Sequence, residues 1–279
     1  MNHGIFFDID GTIIHAGQNP TEEIVQAIRA ARNAGNHVFL STGRAEHAIP
    51  QAVQDIGFDG GIYSAGGRVV VHDTVILDHT MPKQLLSEIL QVFQREGLFF
   101  VLECLHCTFF SGTDVPVPSS LCAEQINSEL KRLLQMRHDP NQKPLEQYAG
   151  EPVYKICFTC TSPEQKERVS RLLAHCGKIN FFGSFWEDMS LYNGEISDAS
   201  VDKGTALSVI CSHLHIAPEQ CIAFGDSSND MEILRAAGLG IVVDNATDDV
   251  KQIADMVCES CMDNGVAKAL KRLKLTGAE

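Results

Sequence analysis

With 279 residues, 44% of them apolar, the chain can build one large domain or two ordinary ones around a sizeable core, and its composition excludes wholesale disorder. A formal charge of −14 argues against nucleic acid as a partner, since a phosphate backbone needs a basic surface; it permits phosphate chemistry where a bound cation sets the local sign. No apolar stretch approaches the roughly 20 residues that span a bilayer, and the opening Met1-Asn2-His3-Gly4 lacks the basic region of a secretory signal, so a cytoplasmic protein with no membrane partner is expected.

The first predicted strand, Ile5-Phe6-Phe7, runs into Asp8-Ile9-Asp10-Gly11-Thr12. Side chains two apart on a strand share a face, so Asp8 and Asp10 can converge, and Gly11 lets the chain turn directly after them. Paired carboxylates at the mouth of a buried strand suit metal-assisted phosphoryl transfer; the alternative is an acidic strand end that merely opens a solvated turn. Asn19-Pro20-Thr21-Glu22 predicts a helix start, with Asn19 as N-cap, Pro20 at the first helical position and Glu22 reaching back, and Gly35 ends that helix. A second strand, His37-Val38-Phe39-Leu40, ends in Ser41-Thr42-Gly43-Arg44, and a third runs from Gly61 to Ser64. Strand-helix-strand order implies right-handed crossovers and a parallel sheet.

The middle of the chain has another rhythm. Met81-Pro82 opens a helix to about Glu96, followed by strands at 98–103 and 107–111, a helix near 120–136 and a polar loop, His138 to Pro144. Strand 153–160, a helix opened by Ser162-Pro163-Glu164, and strands at 178–182 and 185–192 complete it. Adjacent strands without helices between them suggest an antiparallel α+β unit, so residues 82–192 are read as a second domain inserted into a first one made of 1–81 and 193–279. Lys155, an isolated charge in an apolar strand, is either a ligand contact or an edge-strand lysine.

The alternating pattern then returns. A helix over Lys203–Leu214 precedes strand Cys221-Ile222-Ala223-Phe224, which ends in Gly225-Asp226-Ser227-Ser228-Asn229-Asp230. Helix 230–237 closes at Gly238, strand 240–243 ends in Asp244-Asn245-Ala246, and a helix begins at Thr247. Strands thus end in polar loops at Asp8, Thr42 and Asp226, and open parallel sheets bind ligands beyond the carboxyl ends of their strands.

Ten cysteines include three pairs with metal-knuckle spacing, Cys104/Cys107, Cys157/Cys160 and Cys258/Cys261. The first two lie in strand-like runs, where residues three apart face opposite sides, so they read as buried small hydrophobes in a reducing compartment.

Together, Asp8-x-Asp10-Gly11-Thr12, Ser41-Thr42-Gly43-Arg44, Lys203-Gly204 and Gly225-Asp226-x-x-Asn229-Asp230 resemble the haloacid dehalogenase superfamily. They are most similar to its Cof-type phosphatases, whose α/β cap is inserted between the second and third motifs. The resemblance implies an α/β fold, with a Rossmann-like parallel-sheet core and an inserted α+β cap. It also implies a Mg2+-dependent phosphatase that hydrolyses a small phosphorylated metabolite, a sugar phosphate or a phosphorylated cofactor, through an aspartyl-phosphate. A phosphomannomutase-type mutase and a non-catalytic metabolite-binding regulator are the alternatives.

By the resemblance, Asp8 is the nucleophile and Asp10 the general acid and then base. Mg2+ is held by the Asp8 carboxylate, the Asp10 main-chain carbonyl and Asp226, with Asp230 as a direct or orienting carboxylate. Thr42, Gly43, Lys203 and Asn229 bind the phosphoryl group. A lysine in a helix's first turn opposes the helix dipole, which favours a functional reason for Lys203, whereas Arg44 is expected to be structural. Two segments depart from the family pattern: Ala65-Gly66-Gly67, where Asn-Gly-Ala is typical, and Asp244-Asn245-Ala246, where a small residue precedes Asn-Ala. Both bear on the substrate. The oligomeric state and the cap residues that select the leaving group stay open.

Overall fold

Residues Gly4–Phe7 form β1, buried throughout, in the middle of an eight-stranded sheet. This computed structural model describes residues 2–15, 18–112, 141–186 and 189–277, with 182–186, 189 and 190 described by their backbone alone; the helix expected near 120–136 lies outside them. Helix α1 (Glu22–Asn33) follows, capped by Thr21, whose hydroxyl accepts the Ile24 N–H at 3.3 Å. The N-cap therefore stands two residues later than the expected Asn19. Thr21 is itself a capping residue in extended conformation, and starting there places Glu22 and Glu23 in the first turn, where the dipole favours them. Strand β2 (His37–Ser41), the short α2 (Gln51–Gln54) and β3 (Gly60–Tyr63) come next.

Two strands that the pattern did not suggest, β4 (Arg68–Val71) and β5 (Thr74–Asp78), add an antiparallel edge to the sheet. Their turn is His72-Asp73, both at positive φ, the two-residue geometry usually announced by Asn-Gly.

Residues Ala45–His47 and His79–Ser200 make a separate compact unit. It contains α3 (Lys83–Glu96), β6 (Phe99–Cys104), β7 (Thr108–Phe110), β8 (Gln142–Pro144), β9 (Val153–Cys160), α4 (Pro163–Leu173), β10 (Lys178–Trp186) and β11 (Met189–Ser197). The sheet order is β10-β11-β9-β6-β7-β8, antiparallel except for the β7–β8 pair. Gln142–Pro144, expected in a loop, is a short strand because its backbone pairs with Thr108–Phe110. The two last strands are longer than expected, with 183–186 belonging to β10.

One face of this sheet carries the core with α3 and α4, including Phe93 at 4.9 Å from Phe158 and 5.4 Å from Phe100 between ring centroids. On the other face, Lys155 is not an edge lysine. Its strand lies between β11 and β6, and its buried ammonium donates to Glu195 at 2.6 Å, with Glu103 at 3.7 Å.

The chain then returns to the first sheet with α5 (Lys203–Leu214), β12 (Cys221–Gly225), α6 (Met231–Ala236), β13 (Leu239–Val243), α7 (Asp248–Lys251), β14 (Met256–Cys258) and α8 (Gly265–Arg272). The order β14-β13-β12-β1-β2-β3-β4-β5 is parallel from β14 to β3. Both faces are covered: Ile5, Phe7, Val38, Leu40 and Phe224 enter one hydrophobic cluster, and Phe6, Phe39, Ala223 and Val242 the other. Burial on both sides explains why these strands are apolar runs rather than alternations. Phe7 pairs with Leu40 on one flank and Phe224 on the other, so Asp8, Thr42 and Asp226 follow side by side at the point where strand order reverses.

Candidate active site

Lys203 organises this end of the sheet. The first residue of α5, it is fully buried and donates to Asp8 Oδ1 at 2.8 Å, Asp230 Oδ1 at 2.6 Å and Asn229 Oδ1 at 3.4 Å. Burial alone would lower its pKa, but the charges of Asp230 and Asp8 reverse that and hold it above the ordinary lysine range. Its approach depends on the Ser64-Ala65-Gly66 turn, three residues at positive φ. A Cβ on Gly66 would collide with the main-chain carbonyl of Asp202, the residue whose side chain caps α5 immediately before Lys203. Gly66 keeps the glycine of the family pattern; of the residues that depart from it, Ala65 stands in the middle of this turn at φ +57° and Gly67 follows it.

The loop after β12 is shaped by Asp230. Its Oδ2 accepts the backbone N–H groups of Asp226 and Ser227, each at 3.1 Å, while its Oδ1 takes Lys203, so both oxygens are engaged. Asn229 accepts the Ser227 hydroxyl at 2.8 Å through Oδ1, which leaves its amide N–H groups to donate. Asp226 accepts the Thr12 hydroxyl at 3.1 Å. Gly11, at φ +90°, runs so close that a Cβ there would overlap Asp226 Oδ2. Asn245 donates to the Gly11 carbonyl at 2.8 Å and accepts the Cys261 N–H at 2.9 Å, so it braces the turn that carries Asp10, while Asp244, the residue that departs from the family pattern, accepts the Lys251 ammonium at 3.0 Å.

Gly11→Ala is therefore expected to displace Asp226 and lower kcat by about 10²-fold, the scale of an ångström-level misplacement. Steady-state kinetics beside a circular-dichroism melt check it; kcat near the wild-type value would show that the close approach is immaterial.

Carboxylate oxygens of Asp8, Asp226 and Asp230 lie within 4.8 Å of one another. Three carboxylates here share one ammonium, so once all three are ionised two negative charges lack a partner. Burial, then the charge of Asp230, pushes the Asp8 carboxyl up to about 8 against the pull of Lys203. Burial and the charges of Asp8 and Asp230 raise Asp226 well above the usual carboxylate range. An all-oxygen cluster short of two positive charges suits a hard divalent cation.

Asp10 addresses a different cation. The strand ends at Phe7, so strict alternation does not carry through residues 8–10. Arg44 Nε donates to Asp10 Oδ2 at 2.6 Å and Arg44 Nη2 to Asp10 Oδ1 at 2.7 Å, a bidentate fork steadied by Nη1 on the Ala48 carbonyl at 3.0 Å. Arg44, expected only to be structural, is the partner of the second acidic residue. Thr42, buried at the end of β2, accepts the Arg44 N–H through its hydroxyl oxygen at 3.1 Å and keeps its own proton for donation; half-buried Gly43 follows it.

The sequence model for haloacid dehalogenase-like hydrolases matches residues 5–270. The chain belongs to that family. It is 28% identical to the phosphatase YwpJ of Bacillus subtilis, across 96% of this chain and 99% of that protein. It is 27% identical to a phosphoglycolate phosphatase of Methanopyrus kandleri, across 98% and 97%. Among solved structures, a haloacid dehalogenase-like hydrolase from B. subtilis shares the fold with a TM-score of 0.82 at 23% identity, over 97% of this chain and 99% of that one. This hydrolase is an enzyme of the phosphomonoester-hydrolase kind. No helix among its described residues is long and apolar enough to cross a membrane.

Proposed function

We propose that this hydrolase is a Mg2+-dependent phosphatase that releases phosphate from a small phosphorylated metabolite by way of an aspartyl-phosphate on Asp8. The observation that carries the reading is the Lys203 network, in which one buried ammonium holds Asp8 and Asp230 while the cluster, once ionised, still lacks two positive charges. The carboxylates of Asp8 and Asp226 and the main-chain carbonyl of Asp10 would hold the ion, with Asp230 orienting the loop through its two engaged oxygens. When bound, Mg2+ supplies charge neutralisation at the phosphoryl oxygens.

Lys203 fixes Asp8 through Oδ1, leaving Oδ2 to attack phosphorus as the bond to the leaving oxygen breaks. Asp10 gives that oxygen its proton. It then takes a proton from the water that attacks the aspartyl-phosphate, which restores the Asp8 carboxylate and releases phosphate. The Arg44 fork stabilises Asp10 as the carboxylate needed for the second step, so the first step has Asp10 turned off Arg44 with its proton aboard. The Thr42 hydroxyl, the Gly43 amide, the Asn229 amide and Lys203 serve as donors to the phosphoryl oxygens.

Relatives named for phosphoglycolate and for 5-amino-6-(5-phospho-D-ribitylamino)uracil support a sugar phosphate or a phosphorylated cofactor as substrate. The −14 charge supports a small anion shielded by a cation rather than nucleic acid, and a cytoplasmic setting fits the cysteine usage. The inserted segment around 82–192 acts as the cap that chooses the leaving group.

Chelator-treated enzyme assayed on a panel of sugar phosphates and phosphorylated cofactors tests this. Phosphate release that depends on added Mg2+, without isomerisation of hexose phosphates, is expected; turnover indifferent to chelation would overturn it. The cluster also predicts a pH signature. In metal-free protein, folded Asp8 keeps its proton up to about 8, whereas the unfolded chain loses it near the ordinary 3.8. Stability contributed by this group is thus full below the unfolded value and declines as pH rises toward about 8. Thermal melts should show Mg2+ raising Tm more at about pH 8 than at about pH 5, and an equal rise at both would refute the charge argument.

A further inference from the structure

Away from the acidic cluster, α3 and the end of α4 bring together three side chains of another chemical kind. Glu88, on α3, points at His175 and Cys176, which follow α4. His175 Nε2 lies 3.8 Å from Glu88 Oε2 and 3.4 Å from Cys176 Sγ, and the three ligand atoms all lie within 4.8 Å of one another. Tetrahedral ligands at zinc bond lengths of about 2.0–2.3 Å stand about 3.3–3.6 Å apart, so little movement would be needed to close them on one ion. The backbone is fixed for this: the Cys176 N–H donates to the Leu173 carbonyl at 2.8 Å and buries the thiol, while His175 and Glu88 are 73% and 45% exposed. A cation can therefore enter from solvent onto a sulfur anchored beneath it.

We infer that Glu88, His175 and Cys176 form a second metal site, selective for Zn2+ or a similar borderline divalent ion, with the fourth position open to water. Sulfur and imidazole donors prefer such ions, whereas the oxygen-only Asp8 cluster suits Mg2+, so the two sites sort cations by softness. The site would clamp the helix pair at one end. At the other, α4 is already tied to α3 by Arg168 on Glu96 at 2.7 Å and by Gln165 on the Glu96 carbonyl at 2.9 Å. Binding releases the Cys176 proton and forms one metal–sulfur bond, with no change of oxidation state.

Cobalt is the probe, because thiolate-bound Co2+ gives a near-ultraviolet charge-transfer band that oxygen ligands cannot. Titration of the full chain with Co2+ should develop that band to one equivalent and lose it on addition of Zn2+. Cys176→Ser should abolish it, and His175→Gln and Glu88→Gln, at exposed positions that tolerate change, should each weaken Co2+ at least tenfold. Zn2+ should raise Tm in the wild type and not in His175→Gln. No thiolate band in the wild type, or one undiminished in both His175→Gln and Glu88→Gln, would overturn the site and leave an ordinary surface ion pair beside a buried cysteine.

Discussion

Asp8→Asn is expected to cut phosphate release by about 10⁴-fold or more, since an amide oxygen cannot form the acyl-phosphate on which turnover depends. The substitution is nearly isosteric, and its carbonyl oxygen still accepts the Lys203 proton that Asp8 Oδ1 accepts at 2.8 Å. The folded protein should survive, and in the metal-free state it should gain stability near neutral pH. Burial and the Asp230 charge push the Asp8 carboxyl up to about 8, so ionising it in the folded protein is costly, and the amide removes that cost. Loss of activity with a raised metal-free Tm separates a missing nucleophile from a damaged fold. Phosphate release within tenfold of wild type would refute the assignment, as would a collapse of Tm equal to the loss of rate.

The residues on which that experiment rests were legible because they sit at strand ends. Apolar runs stop at Asp8, Ser41-Thr42 and Gly225-Asp226, and a parallel sheet has to bring such ends to one edge. Caps with strong local chemistry were legible too: Ser162 accepts the Gln165 N–H at 3.1 Å, with Pro163 in the first turn.

What escaped depends on partners far away in sequence. Arg44 is 34 residues from Asp10, Asn245 is 234 from Gly11, and Lys155 finds Glu195 40 residues on, so no local pattern distinguishes a fork, a brace or a buried ion pair from solvated charges. The His72-Asp73 hairpin was missed for another reason. It uses left-handed backbone without glycine, a conformation that the packing of Val69 and Val71 against the core pays for. Cys104 and Cys107 read as one strand, but the Cys104 N–H donates to the Cys107 carbonyl at 3.0 Å across the turn between β6 and β7, so period-two reasoning fails for that pair.

Lys203→Met should cost both rate and stability, and the two losses have one cause. Methionine fills a similar volume without the charge, so packing against α6 is kept while Asp8 and Asp230 lose the ammonium that donates to both. Removing one partner from a buried ionic set costs about 3–5 kcal/mol, because the remaining charges have no water to turn to. The loss should grow as pH rises, since Asp8 without the ammonium resists ionisation still more strongly than it does with it. Urea denaturation in metal-free buffer measures it; a difference below about 1 kcal/mol would mean that water already solvates the cluster. Adding Asp230→Asn should relieve part of the loss, since one fewer buried carboxylate is then unpaired, and a double-mutant cycle reads the coupling. Activity should not return with that relief. Asp230 also holds the Asp226 and Ser227 amides, so the double variant regains stability by giving up the loop geometry that phosphoryl transfer requires.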